Sequence, residues 1–263
     1  MALKMFDEGS GPAIVLIQPL QGRWEWMRPS LVALSKYTRV ISYTLCGDIG
    51  SGMRMDPSDG FDAFTRQLEE VMERADVTRV ALCGVSFGGV VAAHYAALRP
   101  ERVSHLIVAS SPGPGWMPTA SQASYVARPW LSMPAFTLTG ASRVGVEIAA
   151  ALPSWRERVG FALRYLGVAV RFPMLPHLMA RRVRLLQETD LAADCARIQA
   201  PTLVITGDES LDRVVPIAST KEFVKQIRGA RYAMMDRTGH LGSLTQPDRF
   251  ARIVGEFVNA SSS

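Results

Sequence analysis

Ser86 stands in Gly84-Val85-Ser86-Phe87-Gly88, a G-x-S-x-G pattern that follows the apolar run Val80 to Cys83 and precedes a small-residue stretch closed by Arg99 and Pro100. Strand, sharp turn and helix in that order lift a serine hydroxyl clear of a sheet end, and the flanking glycines let the helix approach the strand closely. Such a hydroxyl attacks a carbonyl when a base takes its proton, an acid orients the base and N–H groups receive the oxyanion. Of the four histidines, His94 and His105 sit on regular elements near Ser86 in sequence, and His177 lies between Pro176 and Leu178. His240 is different: it follows an expected strand, Arg231 to Asp236, in the segment Arg237-Thr238-Gly239-His240-Leu241, ahead of a helix opened by Pro247. Ligand sites of parallel sheets form on loops of this kind, so His240 is assigned as the base. The acid comes from the segment Thr206 to Pro216. Asp212, four residues before Pro216, suits a carboxylate reaching inward and is preferred. Asp208, directly after the strand, suits a turn residue bonding its own backbone and stays open as the competitor; Asp194 and Asp236 are set aside.

These residues need a scaffold. Ala13 to Ile17, Val40 to Tyr43, Val80 to Cys83, Leu106 to Ala109 and Leu203 to Ile205 are short apolar runs without strict alternation, as in strands covered on both faces. Helical patterns lie between them, over Trp24 to Leu34, Phe61 to Arg74, Val85 to Leu98, Ser219 to Ile227 and Asp248 to Val258. Alternating strands and helices predict an α/β fold with a doubly wound, mostly parallel sheet. From Ser111-Pro112-Gly113-Pro114-Gly115 to Ile198 the alternation breaks, over a length that excludes a plain loop. We expect a core of residues 1–112 and 191–263 with an inserted helical cap over 113–190. The clearest cap helix, Trp155 to Phe172, carries one apolar stripe of Val159, Ala162, Leu163, Leu166 and Val170 and another of Phe161, Tyr165, Val168 and Phe172. Two stripes need two covers, and packing within the cap and onto the core is the expectation for both.

The chain of 263 residues is long enough to bury a core without metals or disulfides. Cys46, Cys83 and Cys195 are scattered and expected to be reduced thiols, with no metal-ligand spacing. Nine arginines against four acidic residues between Gly113 and Asp190 account for the whole net charge of +5. Solvated arginines explain this simply, and a basic surface also suits an acidic carrier protein presenting an acyl ester. No nucleic-acid module is present, no run approaches the roughly 18 apolar residues of a membrane span, and Met1 to Gly9 holds no signal-peptide run. A cytoplasmic protein is expected. Gly47-Asp48-Ile49-Gly50-Ser51-Gly52 matches no phosphate-binding spacing and is taken as a turn.

Taken together, Gly84 to Gly89, Ala200 to Gly207, Asp212-Arg213-Val214-Val215-Pro216 and Thr238-Gly239-His240 make the chain resemble the α/β-hydrolase superfamily, in its capped, esterase-like branch. The resemblance covers nearly everything outside the cap. It implies backbone N–H donors for the oxyanion at Leu20 and Phe87, although Gln18-Pro19 stands where the family commonly has His-Gly. It also implies substrate contacts from Gln18, Trp24 and Leu241, with Trp26 close by. The activity implied is hydrolysis of a small carboxylic ester through an acyl-enzyme on Ser86, with no cofactor and no metal. The same triad also serves carbon–carbon hydrolases, lactonases, amidases and perhydrolases, and the fold serves receptors of slow turnover. Dehalogenases of this superfamily have aspartate at the position of Ser86.

Overall fold

The computed structural model describes residues 3–56 and 58–260. The five apolar runs become β2 (Ala13–Ile17), β3 (Arg39–Tyr43), β4 (Val80–Val85), β5 (Val103–Ala109) and β6 (Thr202–Thr206); the strand expected over Arg231 to Asp236 becomes β7 (Arg231–Met234), and β1 (Met5–Glu8) precedes them all. They form one seven-stranded sheet in the order β1-β3-β2-β4-β5-β6-β7. Only β1 is antiparallel to its neighbour, β3. Every residue of β4 is buried, which is why this central strand has no polar alternation. The edge strand β1 was not expected, because four residues with an exposed half carry almost no pattern.

Helices cover both faces. On one side α2 (Asp62–Arg74), α3 (Phe87–Leu98), α8 (Leu191–Arg197) and α9 (Ile217–Gln226) pack Phe64, Val91, Cys195 and Phe223 against the sheet. On the other, α1 (Arg28–Leu34) and α11 (Pro247–Asn259) contribute Leu31, Phe250 and Val254. The expected helix from Trp24 is two elements: a 3₁₀ turn over Trp24–Met27, then α1, with proline in its first turn. The helix α8 is not among those expected from the sequence. Asp190 caps it by accepting from the Ala193 N–H at 3.0 Å, and Asp194 ties it to His94 of α3 at 2.8 Å.

Between β5 and β6 the chain forms α4 (Ala120–Ala127), α5 (Pro129–Ala151), α6 (Trp155–Arg171) and α7 (Pro176–Glu188). Capping boxes at Thr119/Gln122 and Ser154/Glu157 start α4 and α6. The two stripes of α6 do not share one fate. Phe161, Tyr165 and Val168 are half-buried, with Tyr165 stacked on Trp26 at 5.9 Å between ring centroids. Val159, Leu163, Leu166 and Val170 are exposed, so the expectation that packing covers both stripes is corrected.

Candidate active site

Ser86 is the first residue past β4, and its backbone takes φ 54° and ψ −120°, a conformation that side-chain-bearing residues seldom adopt. Close packing holds it there. A Cβ at Gly84 would lie 2.1 Å from the Gly88 carbonyl oxygen, and one at Gly88 would lie 2.2 Å from that of Ile17. The Ser86 N–H donates to the Ala109 carbonyl at 2.8 Å, and the Ser111 hydroxyl donates to the Ser86 carbonyl at 2.7 Å.

His240 Nε2 lies 3.2 Å from Ser86 Oγ, and its Nδ1 lies 3.4 Å from Asp212 Oδ2. Both contacts are at the long end of hydrogen-bond reach, and their order is that of nucleophile, base and orienting acid. Asp212 is 2 % exposed at its side chain, and its other oxygen accepts from the N–H groups of Val214 and Val215 at 2.9 and 3.0 Å. Those bonds fix the carboxylate in the loop after β6. Burial works against its charge, but His240 and the two N–H donors prevail and hold its pKa below the ordinary value. Asp208 instead turns back on Ser210, accepting from its N–H at 2.9 Å and its hydroxyl at 2.7 Å. Asp194 is engaged with His94 and Arg197, and Asp236 with Arg249.

For His240, burial opposes protonation, yet the Asp212 charge and hydrogen bond, with Glu147, outweigh it and raise its pKa above the ordinary 6.5. Glu147 was not anticipated. It comes from α5, is 1 % exposed, and one of its oxygens accepts from the N–H groups of Gly239 and Leu241, at 2.7 and 2.6 Å, on either side of His240. Burial pushes its carboxyl up to about 7, with those donors and the His240 charge pulling the other way. Glu147 is the one acidic residue between Gly113 and Arg156, a signal visible in the sequence, but its partners lie more than 90 residues away. The same helix end holds Arg237, which donates to the Ala150 carbonyl at 3.0 Å.

A cavity of about 970 Å³ opens over Ser86 and His240, walled chiefly by apolar side chains of the core loops and of α4 to α7. Leu20, Phe87, Trp26 and Leu241 line it. Phe87 opens α3, so its N–H belongs to a first helical turn, whose amides have no partner within the helix. Leu20 is held through its carbonyl by Arg182 of α7 at 2.8 Å, and Arg182 is ion-paired in the interior with Asp48. The glycine-rich turn at Gly47 thus anchors the loop that carries Leu20.

Gln18 and Trp24, expected to contact substrate, lie elsewhere. Gln18 is fully buried and donates to the Leu16 carbonyl at 3.2 Å and to the Ser42 hydroxyl, bracing β2 against β3. Trp24 packs on Phe6, with ring centroids 5.7 Å apart, because a 3₁₀ turn sends residues two apart to different sides and Trp26 takes the cavity side. The three cysteines are buried, and burial pushes the thiols of Cys46 and Cys195 up to about 12. Among the described residues no group of three His, Cys, Asp or Glu is placed to hold a metal ion, and no helix is long and apolar enough to cross a membrane.

Residues 14–253 match the profile of the Alpha/beta hydrolase family. The chain belongs to that family. Among relatives of this alpha/beta hydrolase, a protein of Pseudomonas savastanoi pv. phaseolicola named carbamate hydrolase RutD is 26 % identical over 97 % of both chains. The 2-hydroxy-6-oxo-2,4-heptadienoate hydrolase of Pseudomonas putida is also 26 % identical, over 97 % of this chain and 92 % of its own. In fold, the alpha/beta hydrolase resembles the enol-lactonase of Burkholderia xenovorans LB400, at TM-score 0.70 and 23 % identity over 98 % and 96 % of the two chains.

Proposed function

We propose that this alpha/beta hydrolase is a serine esterase that cleaves small carboxylic esters through an acyl-enzyme on Ser86. The observation that carries the reading is the run of contacts from Ser86 Oγ through His240 to Asp212 at the base of the apolar cavity. In this reading His240 Nε2 takes the serine proton as Oγ bonds the carbonyl carbon, and the oxyanion faces the N–H groups of Leu20 and Phe87. As the tetrahedral centre collapses, the carbon–oxygen bond to the alcohol breaks and His240 returns the proton to it. Water then enters and loses a proton to the same nitrogen as its oxygen bonds the acyl carbon; the bond to Ser86 Oγ breaks, His240 returns the proton to Oγ, and the acid leaves. Asp212 stays ionised throughout and holds the imidazole in the tautomer with its acceptor toward Ser86. Residues 113–190 act as a cap whose helices shape the acyl site, and a cavity near the upper end of the usual ~300–1,000 Å³ range suits an acyl group of some length.

A second reading applies the same triad to a carbamate, lactone or carbon–carbon bond, and the names of the relatives support it. A panel of chromogenic esters of increasing acyl length, run beside an aryl carbamate and a 2-hydroxy-6-oxodienoate with Ser86→Ala as blank, separates the two. Multiple turnovers of the esters with the highest kcat/KM are expected. A kcat/KM highest for the carbamate or the dienoate would replace the ester reading, and a stall after one equivalent on every compound would point to a receptor.

A further inference from the structure

The outer face of α6 has an apolar stripe with no protein cover. Trp155, Val159, Leu163, Leu166 and Val170 recur at intervals of three and four, on one side of the helix, and the last three are 63 %, 62 % and 76 % exposed. The helix is nevertheless docked. Its opposite face lies on the Trp24–Met27 turn, where the Tyr165 hydroxyl donates to the Trp26 carbonyl at 3.3 Å and Trp26 Nε1 donates to the Phe172 carbonyl at 3.1 Å. At 100° per residue Arg156 borders the exposed stripe, and Arg171 and Arg164 continue the same flank toward the docked face, where Glu157 also falls. All three are exposed, and among the described residues none of them is ion-paired.

We propose that this face of α6 seats the protein on an anionic lipid bilayer and lets apolar esters pass from it into the cavity, the second clause resting on the esterase reading and the first standing without it. An apolar face flanked by arginines is the arrangement of helices that lie in a lipid interface: side chains enter the acyl boundary while guanidinium groups meet lipid phosphates. Charge selects this occupant. An antiparallel second copy would bring the same arginine flank against itself, and a parallel one would set that flank against a side of the partner helix with no acidic residue, because Glu157, the only one on the helix, lies on the arginine side. An acidic soluble protein would answer the arginines and leave the stripe without a partner. Phe161, Ala162 and Tyr165 of the same helix line the cavity, so a bilayer under α6 would lie one helix away from the acyl site.

The test is co-sedimentation of the full chain with vesicles of phosphatidylcholine alone and of phosphatidylcholine with phosphatidylglycerol. Binding to the anionic vesicles is expected, at least about tenfold tighter than to the neutral ones and weakened by high salt. Leu163→Glu/Val170→Glu and Arg164→Gln/Arg171→Gln should each lower it about tenfold or more, while hydrolysis of a soluble short-chain ester stays at the wild-type rate and reports intact folding. Absence of binding to the anionic vesicles overturns the proposal. So does binding that the leucine–valine pair leaves unchanged, or a dimer in light scattering that Leu163→Glu/Val170→Glu converts to monomer, because a second copy then covers the stripe. A wild-type chain that binds vesicles but cleaves no ester overturns the esterase reading and leaves the docking surface standing.

Discussion

At the scale of single residues, the two carboxylates after β6 make opposite predictions. Asp212→Asn keeps the shape of the loop but presents an amide to His240 Nδ1 and favours the wrong tautomer, so kcat should fall by about ten-thousandfold with folding intact. Asp208→Asn touches only the turn to Ser210 and should leave kcat near wild type. Kinetics of both variants at matched folded fraction decide; an inactive Asp208→Asn would move the acid to the strand end. Ser86→Ala should abolish labelling by a fluorophosphonate and lower turnover by about a thousandfold or more. The pH profile belongs to the same scale. Because Asp212 and Glu147 raise the His240 pKa above 6.5, the acid limb of kcat/KM should lie above that value. Glu147→Gln removes one raising charge while its amide oxygen can still accept from Gly239 and Leu241, so the limb should move to lower pH. The carboxyl of Glu147 is raised from 4.5 to about 7, so the stability it contributes is fully present below pH 4.5 and is lost as pH rises through about 7. Chemical denaturation across that window should show the wild type losing stability relative to Glu147→Gln. A flat difference would mean that the carboxyl is not displaced.

Elements from the insertion hold both working loops. The C-terminal part of α5 grips the histidine loop through Glu147 and Ala150, and α7 grips the Leu20 loop through Arg182. Arg182→Met should destabilise by about 3–5 kcal/mol, because it leaves the Asp48 carboxylate buried without its partner. Arg182→Met/Asp48→Leu removes both charges and should recover most of the melting temperature. It should not recover turnover, expected to stay on the order of 10- to 100-fold low because the Leu20 carbonyl has lost its donor. Full recovery of kcat in the double variant would show that the ion pair serves stability alone. Helices with one apolar face against the sheet, such as α2 and α11, could be read from sequence, and α3 could be read from the small residues that follow the turn at Ser86. In the insertion only α6 was read as a helix. Small residues and the internal Pro134 blur the period of α5, and α4 has only eight residues, whereas α7 does carry an apolar face, interrupted by the buried Arg182.

Over the whole molecule, charge is unevenly placed: the excess of five lies within residues 113–190. Hydrolysis of a neutral soluble ester should therefore be insensitive to ionic strength. An ester carried on an acidic protein should lose kcat/KM as salt rises from about 0.1 M to 1 M and the Debye length falls from about 10 to about 3 Å. Equal salt response for both would remove the acidic carrier as a partner.

Local order was enough to determine the strand-turn-helix around Ser86, the alternation that builds a parallel sheet, and the loops that carry Asp212 and His240. Each of these depends on residues adjacent in the chain: an apolar run, glycines where backbones meet, a proline that opens a helix. Spacing favoured Asp212 and left Asp208 open as its competitor, and tertiary structure decided which carboxylate meets His240, since both are loop residues and packing turns one inward. It also decided that Gln18 and Trp24 face away from the cavity, and that Glu147 and Arg182 reach across from the insertion to brace the loops that carry His240 and Leu20. It left one stripe of α6 bare. Those contacts join residues up to 162 positions apart, and for Asp212, Glu147 and Arg182 the partner is selected because a buried charge left without one is strongly destabilising, which no local pattern encodes.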